Sequence, residues 1–135
     1  MKKSFDPLTI LNIAYDLIIC LSSLHQENIV HADLKPTNYV WDYFQNNKNI
    51  PNIILIDFSC SIYNKKKIKK YHASGNYFYS SVYQNENKVV RQKDEIESLI
   101  YTLLYFTDIK LPWVEFYQKT NKYKCKKYLE LKKNI

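Results

Sequence analysis

The 135-residue chain is poor in glycine, since Gly75 is the one glycine in it. A G-x-G-x-x-G phosphate loop needs several glycines, so this sequence cannot contain one. Three cysteines are present, Cys20, Cys60 and Cys125, and none has the C-x-x-C spacing of zinc or redox sites. From the odd cysteine count and the lack of a signal-peptide pattern, we expect free thiols and an intracellular setting, cytoplasmic, nuclear or both.

Arginine is equally scarce, because Arg91 is the one arginine among 20 basic residues. Residues 1–60 carry four basic against six acidic residues, whereas residues 61–135 carry 16 against seven. Seven lysines from Lys119 to Lys133 interleave with tyrosines, a pattern that can follow a nucleic-acid backbone and stack on its bases. Bidentate recognition of bases and phosphates favours arginine, so we do not expect nucleic acid to be the main partner.

Two short motifs carry the chemistry of this chain. HADLKPTN at residues 31–38 and LIDFS at residues 55–59 place Asp33, Lys35, Asn38 and Asp57 in a fixed order. Phosphoryl transfer needs a carboxylate for the proton of the attacking hydroxyl, a cation near the phosphate, and oxygen ligands for Mg²⁺. We therefore predict Asp33 and Lys35 as catalytic residues, and Asn38 and Asp57 as ligands of Mg²⁺ and ATP. Because Asp57 follows an apolar strand, we expect it to be a buried carboxylate that needs a metal.

These motifs resemble known kinase elements. H-x-D-L-K-P-x-N resembles the protein-kinase catalytic loop, and D-F-S at residues 57–59 resembles the DFG metal-binding motif. GNYFYSS (residues 75–81), RQKDEIESLIYTLLYF (91–106) and LPW (111–113) resemble the casein kinase 1 group, to which the vaccinia-related kinases also belong. The resemblance covers about residues 6–113 and, more loosely, the lysine-rich tail. It implies a serine/threonine protein kinase that uses Mg-ATP.

The resemblance also implies two supporting residues. His31 is expected to be a packed scaffold residue rather than a base. Asp94 is expected to hydrogen-bond the backbone of the catalytic loop and so hold Asp33 in place. The alternative for Asp94 is a carboxylate that stabilises a helix N-terminus electrostatically.

Periodicity predicts the elements around the motifs. A helix is expected to start at Asp6-Pro7 and to bury a stripe that includes Leu11, Ile18 and Leu21. We judge it too short and too polar, at Asn12 and Asp16, to cross a membrane. Short strands are predicted at residues 29–30, 39–41 and 53–56, with a polar hairpin tip at 42–51. A central helix is expected to bury an apolar face made by Ile96, Leu99, Ile100, Leu103 and Leu104.

By resemblance, residues 1–135 form one partial kinase domain, the C-terminal lobe alone, mainly α with a small β hairpin at the active-site edge. It would contain the helix before the catalytic loop, the catalytic loop, the metal-binding motif, the activation segment, the central helix and a lysine-rich terminal helix. The N-terminal lobe is expected to be absent. A lobe without its neighbours should expose apolar surface, which marks a partner interface or an unstable fragment.

Two residues depart from the kinase pattern. Ala32 replaces the usual arginine before Asp33, which argues against control by activation-loop phosphorylation. Ser59 replaces the DFG glycine, and we expect a conformational cost there. A lysine cluster lies in the expected activation segment and predicts contacts with acidic or phosphorylated protein substrates; the alternative is a solvated loop. The cluster consists of Lys65, Lys66, Lys67, Lys69 and Lys70.

Two function classes remain open. The first is a protein kinase that transfers phosphoryl groups from Mg-ATP, with the N-terminal lobe supplied by another chain. The second is a non-catalytic kinase remnant that binds an intact kinase or its substrate. The complete set of Asp33, Lys35, Asn38 and Asp57 favours the first, and the missing phosphate loop favours the second.

Overall fold

A computed structural model of the chain describes residues 4–42, 52–63, 76–107, 109–120 and 125–134. Helix α1, Pro7–Gln26, begins where the sequence predicts. The Asp6 side chain accepts a hydrogen bond from the Thr9 backbone N–H (3.0 Å), and Pro7 occupies the first turn, where no intrahelical donor is needed.

The buried face of α1 differs from the predicted one. Ile13, Leu17 and Leu21 are buried, whereas Leu11 and Ile18 are exposed. The helix is apolar on most sides, so spacing alone could not select the face that meets the core. A polar contact with the strand that contains Ile53 determines which face of α1 meets the core, because the backbone N–H of Ile53 donates to the Asp16 carboxylate (3.1 Å).

Within the described ranges, α1 alone has the length and composition to cross a bilayer, with a mean hydropathy of 1.6. The expectation that it is too short was therefore wrong. Core helices of folded proteins also satisfy this criterion, and one face of α1 lies in the core here.

Two small antiparallel sheets follow α1. Strand β1, Ile29–Val30, pairs with β4, Ile62–Tyr63; strand β2, Tyr39–Asp42, pairs with β3, Asn52–Leu55, so that Val40 faces Ile54. The three predicted strands are confirmed, and β4 was not predicted. Residues 43–51 of the expected hairpin tip lie outside the described part of the chain.

The α-helices that follow the sheets are α2 (Val82–Asn85), α3 (Gln92–Phe106), α4 (Pro112–Thr120) and α5 (Cys125–Lys133). The predicted apolar face of α3 is only partly correct. Leu99 is buried, but Ile96 and Ile100 are exposed. Much of the buried face is polar instead, and it carries Asp94, Glu95, Ser98 and Thr102.

The core has three parts. The first lies between α1, β3 and α3 and contains Ile13, Leu17, Leu21, Leu34, Ile53, Leu55 and Leu99. The second surrounds the β1–β4 pair, with Val30, Ala32, Ile62 and Val90. The third is aromatic and is built on Tyr101, Leu111, Trp113 and Tyr128. This mainly helical architecture agrees with the mainly α character of the predicted fold class, with two two-stranded sheets in place of the one predicted hairpin.

Candidate active site

Asp33, Lys35 and Asn38 lie together, as their spacing predicts. They follow β1 and lead into a short 3-10 helix, Pro36–Asn38. The Lys35 ammonium donates to Oδ2 of Asp33 (2.5 Å). The Asn38 amide nitrogen donates to the Asp33 backbone carbonyl (2.9 Å) and to Oδ2 (3.3 Å), which closes the loop on itself.

The second oxygen of the Asp33 carboxylate is different. Oδ1 is buried, and no donor among the described residues reaches it. A buried acceptor without a partner costs about 1–3 kcal/mol. A substrate hydroxyl would supply the missing donor once the atoms that cover Oδ1 move aside, so the arrangement suits a carboxylate that binds and deprotonates an alcohol.

The backbone just before Asp33 is strained. Ala32 has a φ of 65°, and a left-handed backbone costs a non-glycine residue about 1–2 kcal/mol. The Ala32 N–H donates to Oε1 of Glu95 (2.9 Å), and its carbonyl accepts from Nε2 of Gln84 (2.8 Å). Both partners are buried, so the peptide groups on either side of Ala32 are held and its strain is stabilised by the surrounding fold.

The loop contact predicted for Asp94 is wrong. The Asp94 carboxylate accepts from the backbone N–H, Nε and the terminal NH2 of Arg91 (2.8, 2.8 and 2.9 Å), and thereby caps α3. Glu95, the next residue, contacts the loop instead, and it also bonds Nε2 of His25 (2.7 Å). The two acids point in different directions because successive helical residues are rotated by about 100°. The motif does not reveal which of them faces β1.

Gln84 and His25 were missed by sequence reasoning. Gln84 contacts a residue 52 positions earlier, and His25 contacts one 70 positions later. Neither occupies a recognisable spacing, so no signal in the sequence points to these contacts.

His31 is fully buried and links the two motifs. Its Nδ1 accepts from the Asp33 N–H (3.3 Å), and its Nε2 bonds the Ile56 carbonyl (3.0 Å). Its ring packs against Phe58 with centroids 4.8 Å apart. These contacts are those of a packed scaffold residue.

Asp57 is exposed, so the expectation of a buried carboxylate was wrong. Its Oδ1 accepts from the Ser59 hydroxyl (2.6 Å) and backbone N–H (3.3 Å). These bonds, helped by the charge of Lys35, hold the pKa of Asp57 below its usual value. The left-handed backbone falls on Asp57 itself (φ 64°) rather than on Ser59, so the expected cost of serine at this position is not seen.

The donors near Asp57 suit Mg²⁺ in kind. Asn38 uses its amide nitrogen for both of its side-chain bonds to Asp33, which leaves the amide oxygen as an acceptor. The Ile56 N–H donates to the Asn38 carbonyl (3.0 Å), so the two ligand-bearing segments are adjacent. The described residues hold no cluster of three His, Cys, Asp or Glu side chains. Mg²⁺ typically uses one or two protein carboxylates and completes its shell with phosphate and water oxygens.

An apolar surface adjoins these residues. Val40 of β2 and Ile54 of β3 are paired neighbours, and Ile56 comes directly after the end of β3. All three side chains are exposed. Alternation along a strand places Ile54 and Ile56 on one face of the hairpin. An apolar ring could therefore lie close to Asp57. The predicted substrate contacts, Lys65, Lys66, Lys67, Lys69 and Lys70, lie outside the described residues.

Comparison with known proteins identifies the relatives of this arrangement. Casein kinase I homologs 1 and 2 of Schizosaccharomyces pombe are 26% and 25% identical to this chain over 98% of its length. The chain is casein kinase 1-like. Casein kinase I homolog RAG8 of Kluyveromyces lactis is also 26% identical over 98% of the chain. No family model matches.

The casein kinase 1-like match includes the lysine-rich tail as well as the motifs. The chain spans 31% and 32% of the length of the two S. pombe relatives and 26% of RAG8. The similarity gives general support for a protein-kinase-like function.

Proposed function

We propose that this chain is the C-terminal lobe of a casein kinase 1-like serine/threonine kinase and that Asp33 accepts the proton of a substrate hydroxyl. The free, buried Oδ1 of Asp33 carries this proposal. The other oxygen of the carboxylate, Oδ2, accepts hydrogen bonds from Lys35 and Asn38, so the carboxylate is oriented before any substrate arrives. Such preorganisation is what positioning a nucleophile requires.

The remaining residues have distinct roles in this proposal. Lys35 would balance charge at the transferred phosphoryl group, since its side chain is partly exposed beside Asp33. Asp57 and the Asn38 amide oxygen would hold Mg²⁺, and the apolar face of Val40 and Ile54 would support the base of ATP. Mg-ATP, when bound, supplies the phosphoryl group and neutralises its charge.

The substrate is proposed to be an acidic or already phosphorylated protein. Its support is the lysine excess of residues 61–135, which includes the cluster at residues 65–70. The glycine-rich loop and its associated lysine would come from outside these 135 residues, because their single glycine cannot form such a loop; we propose a partner chain as one source. Cys20 and Cys60 are free thiols, which fits the proposed intracellular setting.

A non-catalytic binding role is the second candidate. The specific observation in its favour is again the single glycine, since these 135 residues alone cannot supply the glycine-rich half of an ATP site. In that case the chain would bind an intact kinase or a kinase substrate and compete for it.

Thermal shift with Mg-ATP separates the two. A ligand that binds only the folded state should add about 2.7 kcal/mol at 100 times its dissociation constant. We expect a Mg²⁺-dependent rise in melting temperature for the wild type that is lost in Asp57→Asn. Glu115→Gln on α4 is the matched control, because it removes a similar charge outside the candidate site.

Phosphorylation of acidic peptides is the next measurement, with Asp33→Asn as the inactive variant. The absence of any Mg-ATP shift in a well-folded wild type would refute autonomous nucleotide binding and favour the binding role. A shift that survives in Asp57→Asn would place the nucleotide elsewhere on the molecule.

A further inference from the structure

The outer face of α1 is an exposed apolar strip that the candidate active site does not use. It consists of Leu8, Leu11, Tyr15, Ile18 and Ile19, whose exposed fractions run from 50% to 66%. The core residues of α1 lie on the other side of the helix. Contiguous exposed apolar patches of this kind mark interaction sites.

The spacing of the strip is that of a helix–helix seam. Leu8, Leu11, Tyr15 and Ile18 are separated by three, four and three residues, the alternation of apolar positions in a coiled coil. A surface with this period fits another helix with the same period.

The strip is also symmetric about its centre. The pairs Leu8 with Ile18 and Leu11 with Tyr15 both have residue 13 as their midpoint. If a second α1 runs antiparallel, Leu8 therefore meets Ile18 of the copy, and Leu11 meets Tyr15 of the copy. This reciprocal matching is what a two-fold symmetric interface requires.

Charge does not oppose the pairing. Asp16 is the one charged side chain in residues 8–19, and its carboxylate is directed to the Ile53 N–H of β3. Two copies can therefore meet on this face without like charges in contact, although each carries a net charge of +7.

The available area is sufficient for a specific contact. Five side chains exposing roughly 100 Å² each give about 1,000 Å² over two copies, which reaches the usual lower bound for a specific interface. A groove of about 520 Å³ continues the strip at its N-terminal end. It is lined by Ser4, Phe5, Pro7, Ile10, Leu11 and Thr107.

From these observations we propose that the outer face of α1 is a homodimer interface, in which two copies pair their α1 helices antiparallel about residue 13. This inference is independent of the proposed catalytic function.

Sedimentation equilibrium tests the interface directly. The wild type is expected at twice its chain mass of 16.3 kDa, and Leu11→Glu at the mass of one chain. Ile100→Glu is the matched control, because it places the same charge on an exposed isoleucine of α3 and should leave the dimer intact. Circular dichroism of dilute samples verifies that each variant is folded.

Cysteine cross-linking tests the orientation, on a background with Cys20, Cys60 and Cys125 changed to serine. The double variant Leu8→Cys/Ile18→Cys should form disulfide-linked dimers, since these positions lie about 15 Å apart within one helix and cannot join in the same chain. Neither single variant should cross-link. Cross-linking of both single variants would indicate parallel pairing and contradict the proposed geometry.

Three results would overturn the interface. One is a wild type that remains monomeric at its highest soluble concentration. Another is a dimer that persists in Leu11→Glu. The third is a monomer that binds neutral phosphatidylcholine vesicles through the strip, since a lipid surface would then be the occupant.

Discussion

The region beneath the catalytic loop and the outer face of α1 have opposite patterns of burial. Beneath the loop, polar side chains are buried: His31, Gln84 and Glu95 are almost inaccessible to solvent. On α1, leucine, isoleucine and tyrosine side chains are exposed over about three turns. Both patterns are unusual for a folded chain, in which charged residues are rarely buried and large apolar patches rarely exposed. Each pattern therefore points to a requirement beyond folding.

Burying polar groups and exposing apolar groups both cost free energy, and the two costs are offset in different ways. Among the described residues, the buried polar side chains are nearly all hydrogen-bonded, and two atoms have no partner: Nδ2 of Asn85 and Oδ1 of Asp33. Oδ1 of Asp33 is the atom to which we assign chemistry. The apolar strip has no such internal compensation within the described residues. Only contact with another surface removes these side chains from water, and the proposed dimer provides that contact.

The largest expected effect comes from removing the centre of the polar region. Glu95→Ala leaves the Ala32 N–H buried without an acceptor and removes the partner of His25, so we expect a loss of about 3 kcal/mol in the free energy of unfolding. Asp94→Ala removes a helix cap and an ion pair, and should cost about 1 kcal/mol. Urea denaturation of the two variants measures the difference.

A conservative variant makes the comparison sharper. Glu95→Gln keeps an oxygen for the Ala32 N–H, so it should cost less than Glu95→Ala. A greater loss from Asp94→Ala than from Glu95→Ala would contradict our assignment of the loop contact to Glu95.

A smaller, pH-dependent effect is expected at Lys132 of α5, a buried cation outside the catalytic loop. Its Nζ donates to the carbonyls of Tyr77 (2.7 Å) and Ser80 (2.5 Å) and lies near the Tyr101 and Trp113 rings. Burial lowers the pKa of Lys132 to about 7, although the Glu97 charge opposes the shift. Above pH 7 the unfolded chain therefore binds a proton that the folded chain lacks.

The sign of the pH effect follows from that difference. The free energy of unfolding should rise with pH between 7 and 8.5, by at most about 1.4 kcal/mol per pH unit. Lys132→Met removes the titrating group, so its stability relative to the wild type should fall over this range. Lys133→Met, at the exposed neighbouring lysine, is the control and should follow the wild type. A constant difference between wild type and Lys132→Met would mean that the carbonyls and rings keep the lysine charged.

Local features of the fold could be predicted from the sequence, and tertiary choices could not. The start of α1 follows from Asp6 and Pro7, and the strands follow from short apolar runs. The buried side of α1 was predicted incorrectly because it depends on the Asp16 contact with Ile53, which lies 37 residues away. Local rules apply within a few residues, and this contact lies beyond them.

The candidate site shows the same division. The motif spacing correctly grouped Asp33, Lys35 and Asn38, since a short loop brings them together. The choice between Asp94 and Glu95 could not be made, because the Glu95 contact spans 63 residues. The exposure of Asp57 was missed because an apolar strand before a residue does not determine whether that residue is covered.

The smallest expected effect comes from changing alanine to glycine, once in each of the two regions. Ala32→Gly, in the catalytic loop, relieves a left-handed backbone, and this gain should roughly offset the entropy that glycine adds to the unfolded chain. We expect a change in the free energy of unfolding within about 0.5 kcal/mol. Ala14→Gly, inside α1, relieves no strain and should cost about 1 kcal/mol, as glycine does in a helix interior. Equal losses from the two substitutions in urea denaturation would mean that Ala32 is not strained in solution. The contacts of Glu95 and Gln84 would then hold a relaxed loop rather than a strained one.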